Sequence, residues 1–234
     1  MRLSILTRWM VLTGVLLIVL ATCLGLLVHW QVIVDGDGEV LEEFVESRRS
    51  WGTPTVQLFT SLFNPLAAVI VSLLVGIAAT LRFRQWRVFA YMAAVMVLST
   101  AITQGLKHAF VRNRPAVMWH LVEETDFSFP SGHSTAAVAL SSAVIVVWVM
   151  LSAKWKPVAV VAVAAAVIAI GIPASRLYLG VHWFTDTAAG AMVGLGTALL
   201  VSPLLPRTGV MVSHWPSRLR RWMTDKGKHA RQLR

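Results

Sequence analysis

Charge is what this sequence has little of. Asp, Glu, Lys and Arg make up 14% of its 234 residues, whereas a soluble domain carries nearer a quarter. So few charges cannot cover a water-facing surface of this size. With hydrophobic residues at 56% and a mean hydropathy of +0.68, most of the surface is expected to face lipid. Cysteine is almost absent too. Cys23 stands alone, which excludes an intramolecular disulfide and leaves the redox compartment open. It lies inside an apolar run that continues to Val28, so a plain buried cysteine is expected. Repeats and low-complexity tracts are missing. Acidic residues number 11 against 21 basic ones, a formal charge of +10. A nucleic-acid partner would require those cations on one folded polar patch. They sit instead at the ends of apolar runs, which is how membrane proteins use them.

What is present is a series of apolar runs of spanning length, about 20 residues each. They cover 9–34, 58–81, 88–106, 134–152, 157–175 and 184–205. Arg2 and Arg8 ahead of the first run resemble a signal peptide, but the run is too long for a signal core and reads as an uncleaved span. The fold class expected is all-α: an integral membrane bundle of six transmembrane helices, one domain over 1–234. Its core covers about 9–205 and a basic tail about 206–234. Gly190 and Gly194 in the sixth run have the small-xxx-small spacing that permits close helix packing.

Fifteen of the 21 Lys and Arg residues fall in alternate connections: Arg2 and Arg8; Arg82, Arg84 and Arg87; Lys154 and Lys156; and eight in the tail. The first loop on the opposite side is acidic, with Asp35, Asp37, Glu39, Glu42, Glu43 and Glu46. The positive-inside rule then puts both termini in the cytoplasm of a multi-pass cell-membrane protein. Val40, Leu41, Phe44 and Val45 share one helical face, which predicts a short interfacial helix in the acidic loop.

Four cations break the pattern by lying at outer ends of spans: Lys107, Arg112, Arg114 and Arg176. Any one could be a snorkelling anchor. Three of them, Lys107, Arg114 and Arg176, converge with two histidines, and together they suit an anionic ligand at the outer face. Arginine's planar fork matches phosphate oxygens, and lysine serves as a point charge. Pro130-Ser131-Gly132-His133 opens the fourth run with a helix-start proline, a capping serine and a glycine that lets backbone approach a ligand. Free N–H groups at such a terminus bind phosphate. His182 and Asp186 are four apart, hence on one helix face, where a carboxylate can fix the imidazole tautomer and leave the other nitrogen free to attack.

Read in order, Lys107-x6-Arg114-Pro115, Pro130-Ser131-Gly132-His133 and Ser175-Arg176-x5-His182-x3-Asp186 resemble the tripartite signature of the type 2 phosphatidic acid phosphatase superfamily. That group includes lipid phosphate phosphatases, glucose-6-phosphatase and the soluble vanadium haloperoxidases, the last excluded here by the spans. The resemblance implies His182 as nucleophile through a phosphohistidine, Asp186 orienting it, and His133 as general acid and then base. Lys107, Arg114, Arg176, Ser131 and Gly132 would bind phosphate. Arg112 and His108 fall outside the signature and are given no role, and no Asp/Glu/His cluster with metal spacing appears beyond these residues, so metal-independent chemistry with no cofactor is expected. The expected partner is a lipid phosphate within the bilayer, namely undecaprenyl diphosphate, phosphatidylglycerophosphate or phosphatidate, hydrolysed at an extracytoplasmic site. A phosphotransferase using the same phosphohistidine is the alternative, with a lipid transporter or scaffold behind it.

Overall fold

A computed structural model describes residues 5–152 and 155–205. Arg2, Lys154 and the basic tail lie outside the described residues. Those described form no strand. The helices are α1 (Ile5–Leu27), α2 (Gln31–Glu46), α3 (Thr53–Ser61), α4 (Pro65–Phe83), α5 (Trp86–Phe110), α6 (Gly132–Leu151), α7 (Trp155–Tyr178) and α8 (Phe184–Leu200). Five of them, α1 and α5 to α8, are long and apolar enough to cross a membrane. α4 is apolar but shorter, over Ala67–Phe83. The expected count of six spans therefore rests on α4.

Two expected spans are broken by the backbone. The run 9–34 does not continue as one helix: it ends at Leu27, turns, and restarts as α2 after Trp30, whose backbone is extended (φ −75°, ψ 136°). The run 58–81 divides between α3 and α4 at Asn64. There the Asn64 side chain accepts the Ala67 N–H at 2.8 Å, and Pro65 takes the first helical position, where its missing N–H is not needed. In α2 the predicted face is the inward one. Leu41 is buried, Val40, Phe44 and Val45 are partly so, and Glu42, Glu43 and Glu46 are exposed.

Cys23 corrects another expectation, since it is exposed. The buried face of α1 runs through Thr7, Gly14, Ala21 and Gly25. Cys23 stands two residues past Ala21, about 200° around the helix, and points away from that face. Outward surfaces carry large apolar side chains, including Leu12 and Leu16 on α1, Leu74 and Leu81 on α4, and Val163 and Ile170 on α7. No hydrophobic drive pulls helices together in lipid, so close packing and interhelical hydrogen bonds must do it.

Glycines supply the close packing. α6 sits centrally, against α4, α5, α7 and α8. α8 lies parallel to it: a Cβ on Gly190 would come within 2.6 Å of the Ser131 carbonyl oxygen, and one on Gly194 within 2.7 Å of the Ala139 nitrogen. α1 crosses α8 in the opposite direction at Gly14 and Gly196, where added Cβ atoms would lie 2.5 and 2.9 Å from facing backbone oxygens. Tyr91 donates to the Ala198 carbonyl at 2.8 Å and ties α5 to α8, and the Thr103 hydroxyl donates to Thr135 at 3.2 Å across α5 and α6. The resulting bundle gathers the C-terminal ends of α1, α5 and α7 with the N-terminal ends of α4, α6 and α8. α2 and α3 join that end through α7 and α8. Arg82, Arg84 and Arg87 are at the other end, where α4 passes to α5.

These contacts distinguish glycines that look alike in sequence. Gly194→Ala must push backbone apart and is expected to cost about 1–3 kcal/mol. Gly36→Ala, where a Cβ would meet nothing within 4 Å, should stabilise α2 by roughly 0.5–1 kcal/mol. Thermal unfolding of the detergent-solubilised variants measures both, and equal midpoints would contradict the packing described.

Candidate active site

The cations marked in the sequence turn inward instead of snorkelling. Lys107, in the last turn of α5, is 3% exposed, and Arg176, in the last turn of α7, is 1% exposed. Arg114 follows α5 after a left-handed turn at Val111 (φ 47°). All three line one cavity of about 940 Å³, together with Gly132, His133 and His182. At Gly132 a Cβ would meet nothing within 4 Å, so the start of α6 faces free space. The Arg176 Nε is buried with no hydrogen-bond partner, an unmet donor. Ser131 is the N-cap of α6, but its hydroxyl accepts from the Ser134 Oγ at 3.0 Å and from the Ser134 N–H at 3.4 Å, and it is fully buried. His108 is exposed and only stacks edge-on against Phe127.

His182 lies in the turn between α7 and α8, 1% exposed. Arg114 Nη1 is 3.2 Å from its Nε2. A guanidinium can only donate, so Nε2 bears a lone pair and the proton is on Nδ1, which faces Asp186 Oδ2 at 3.4 Å. Burial, reinforced by Arg114, Arg176 and Lys107, holds the His182 pKa well below the ordinary histidine value. The ring is therefore neutral near pH 7, with its free nitrogen turned toward the arginine that would hold an anion. Asp186 is fixed from several sides. Its Oδ2 accepts the Trp183 N–H at 2.8 Å and the Ser128 hydroxyl, and its Oδ1 accepts Arg112 Nη1 at 2.6 Å.

Four residues were missed by sequence reasoning: Glu124, Asp126, Asp37 and Ser128. Glu124 reaches the Arg176 guanidinium, approaches Arg114 at 3.4 Å and lies 3.9 Å from His133 Nδ1. Asp126 pairs with Lys107 at 3.0 Å and with Arg114. Burial alone would raise the Asp126 pKa, but Lys107 and Arg114 outweigh it and hold the carboxyl below its usual range. Two carboxylates thus occupy the cations lining the cavity. Arg112, for which no role was expected, is buried between Asp37 and Asp186. A signal for Asp37 existed, because it shares the i, i+3, i+4, i+7 face of Val40, Leu41 and Phe44. No local pattern marked the loop carboxylates.

The apolar part of the same cavity descends between α4 and α5. Ala68, Leu73 and Gly76 line one side, and Phe89, Met96 and Val97 the other. From Lys107 to Phe89 the helix rises about 27 Å at 1.5 Å per residue.

Residues 88–209, which include every signature position, match the family model described as the PAP2 superfamily. The chain belongs to that superfamily. A curated member, phosphatidylglycerophosphatase B of Bacillus subtilis (strain 168), is 30% identical over 180 residues, covering 74% of this chain and 85% of that protein. The solved transmembrane PAP2-type phosphatidylglycerolphosphate phosphatase of Bacillus subtilis superposes with a TM-score of 0.74 at 26% identity, over 82% of this chain and 94% of that one. Aquifex aeolicus LpxE shares the fold at a TM-score of 0.56 and 20% identity, covering 70% and 92% of the two chains. This PAP2 protein is thus a multi-pass membrane protein related to lipid phosphatases.

Glu124 competes with any anion for Arg114 and Arg176. Glu124→Gln should therefore tighten inhibition by orthovanadate, a phosphate-shaped anion, on the order of tenfold. Inhibition that is unchanged or weaker would show that the carboxylate supports the arginines instead of opposing the ligand.

Proposed function

We propose that this PAP2 protein, acting as one membrane domain, hydrolyses a phosphomonoester or terminal diphosphate bond of a membrane lipid. The observation that carries this reading is the continuity of a single cavity, with Lys107, Arg114, Arg176 and two histidines at its head and an apolar trough between α4 and α5 below. A soluble phosphate ester has no use for the trough, and a transporter would place its ionisable groups near the membrane midplane. Phosphatidylglycerophosphate is the first substrate to test, because the curated Bacillus subtilis sequence and the solved Bacillus subtilis structure are named for that activity. Phosphatidate and undecaprenyl diphosphate offer the same chemistry.

His182 Nε2 attacks phosphorus in line with the departing oxygen, so an N–P bond forms as the P–O bond to the lipid breaks. Asp186 accepts from Nδ1–H and stabilises the charge that develops on the ring. His133 protonates the leaving oxygen, then takes a proton from the water that cleaves the N–P bond and releases phosphate. Lys107, Arg114 and Arg176 bind the equatorial oxygens as charge moves onto them, with the free N–H groups opening α6 at Gly132. Ser131 orders that terminus as its cap. The positive charge is supplied by side chains, so the reaction is read as metal-independent.

The test is phosphate release by the purified protein from matched lipid mono- and diphosphates, with no acceptor added and with excess EDTA. Hydrolysis should survive chelation, and His182→Ala should abolish turnover and acid-labile phosphoenzyme together. In single-turnover phosphoenzyme formation, His133→Ala should cost roughly 10²–10⁴-fold on monoesters. It should cost far less on diphosphates, whose leaving group needs little protonation. Phosphate release that requires an acceptor would indicate a transferase. A phosphoenzyme persisting in His182→Ala would refute the nucleophile.

Orientation belongs to the same proposal. α4 is taken as the sixth span, and the site end of the bundle as extracytoplasmic, because Arg82, Arg84 and Arg87 stand at the opposite end and the acidic α2 at the site end. With Cys23→Ala as background, a membrane-impermeant thiol reagent on intact cells should label Ser47→Cys and not Ser217→Cys. The reverse pattern would invert the topology.

A further inference from the structure

Arg112 bridges two helices that are far apart in sequence. Its Nη1 donates to Asp186 Oδ1 at 2.6 Å and to the Thr185 hydroxyl oxygen at 2.7 Å, while its Nη2 meets Asp37 Oδ2 at 2.7 Å. The three side chains are nearly closed off: 6% exposed for Arg112, 1% for Asp37 and 0% for Asp186. Asp37 does a second thing. Its Oδ1 accepts the Thr185 N–H at 2.9 Å, and its Oδ2 accepts the Thr185 hydroxyl at 2.5 Å. Thr185 is in the first turn of α8, whose N-cap is Trp183. An indole offers no acceptor for the orphan N–H groups there. Asp37, reaching over from α2, takes the part that a capping side chain would normally play.

The route to Arg112 is held at some expense. Val111, immediately before it, is β-branched and in the left-handed region (φ 47°), a conformation that strains such a residue. The turn directs Arg112 inward, while Arg114, two residues on, points into the cavity. Arg112 is absent from the cavity lining and ends on the far side of Asp186 from His182.

We propose that Arg112 and Asp37 are positioning residues for the His182 nucleophile, acting through Asp186. Arg112 pins Oδ1, which leaves Oδ2 as the oxygen presented to His182 Nδ1. Asp37 pins Arg112 and the first turn of α8 together. The inference rests on the reading of His182 as nucleophile, and it brings into the reaction a residue of α2 that lies outside the 88–209 region matched by the family model.

The experiment compares Asp37→Asn, Arg112→Gln and Arg112→Lys, each alone and with Asp186→Asn, in single-turnover phosphoenzyme formation on a lipid monophosphate. Vanadate affinity and the thermal midpoint are measured alongside. Asp37→Asn and Arg112→Gln should slow phosphorylation on the order of 10- to 100-fold, as loss of an orienting partner typically does. KM and vanadate affinity should stay within about twofold, since Lys107, Arg114 and Arg176 are untouched. Arg112→Lys, which keeps the charge without the fork, should recover part of the rate. In the Asp186→Asn background the same changes should cost little more, because nothing remains to be positioned.

A structural role alone would lower the midpoint and vanadate affinity together and add in full to Asp186→Asn, which would overturn the proposal. So would an unchanged rate in Asp37→Asn. Should Arg112→Gln fail to fold, Asp37→Asn decides the matter alone, being isosteric and still able to accept the Thr185 N–H. A wild-type protein that forms no phosphoenzyme would overturn the nucleophile assignment and this inference with it, whereas the outcomes above overturn the inference alone.

Discussion

Charge has to be neutralised at the rim of this bundle before anything can bind there. Four inward-turned cations, Lys107, Arg112, Arg114 and Arg176, meet four carboxylates, Asp37, Glu124, Asp126 and Asp186. An unpaired charge buried beside lipid would be prohibitive, so the site has to be assembled as matched pairs. His182 takes no part in that balance because its ring is neutral. The positions of α2, of the loop from Val111 to Ser131 and of the first turn of α8 all follow from which carboxylate meets which cation.

The pairs are of two kinds. Asp37 and Asp186 are sealed in by three helices and bonded to backbone N–H groups as well as to Arg112, so they are part of the scaffold. Glu124 and Asp126 come from a loop and retain solvent contact, at 19% and 51% side-chain exposure. The first kind fixes the surroundings of His182, and the second pairs the cations that line the cavity.

Local features were legible in the sequence, and distant ones were not. The apolar runs located five long helices, and Gly190 and Gly194 foretold a close contact, because a repeat of four residues is information within one helix. The fixed spacings of the signature likewise marked the cations and histidines that line the cavity. Breaks at Trp30 and Asn64 were overlooked since hydropathy continues across them, although Asn64-Pro65 carried a helix-start signal. Cys23 went astray because its apolar neighbours did not reveal which face of α1 meets α8. Asp37 could not be assigned because its partners Arg112 and Thr185 lie 75 and 148 residues away. Glu124 was equally obscure, 52 residues before Arg176.

The glycine contact between α6 and α8 bears on how the two histidines are held relative to the apolar trough. His133 is in the first turn of α6, and His182 is anchored to the first turn of α8 through Asp186. Because Gly190 and Gly194 let these two backbones touch, the two histidines are held by one closely packed helix pair. The trough is bounded by a different pair, α4 and α5, whose facing residues leave a gap between them. A lipid tail lying in that trough would be walled by α4 and α5, away from the contact that sets the spacing of the two histidines.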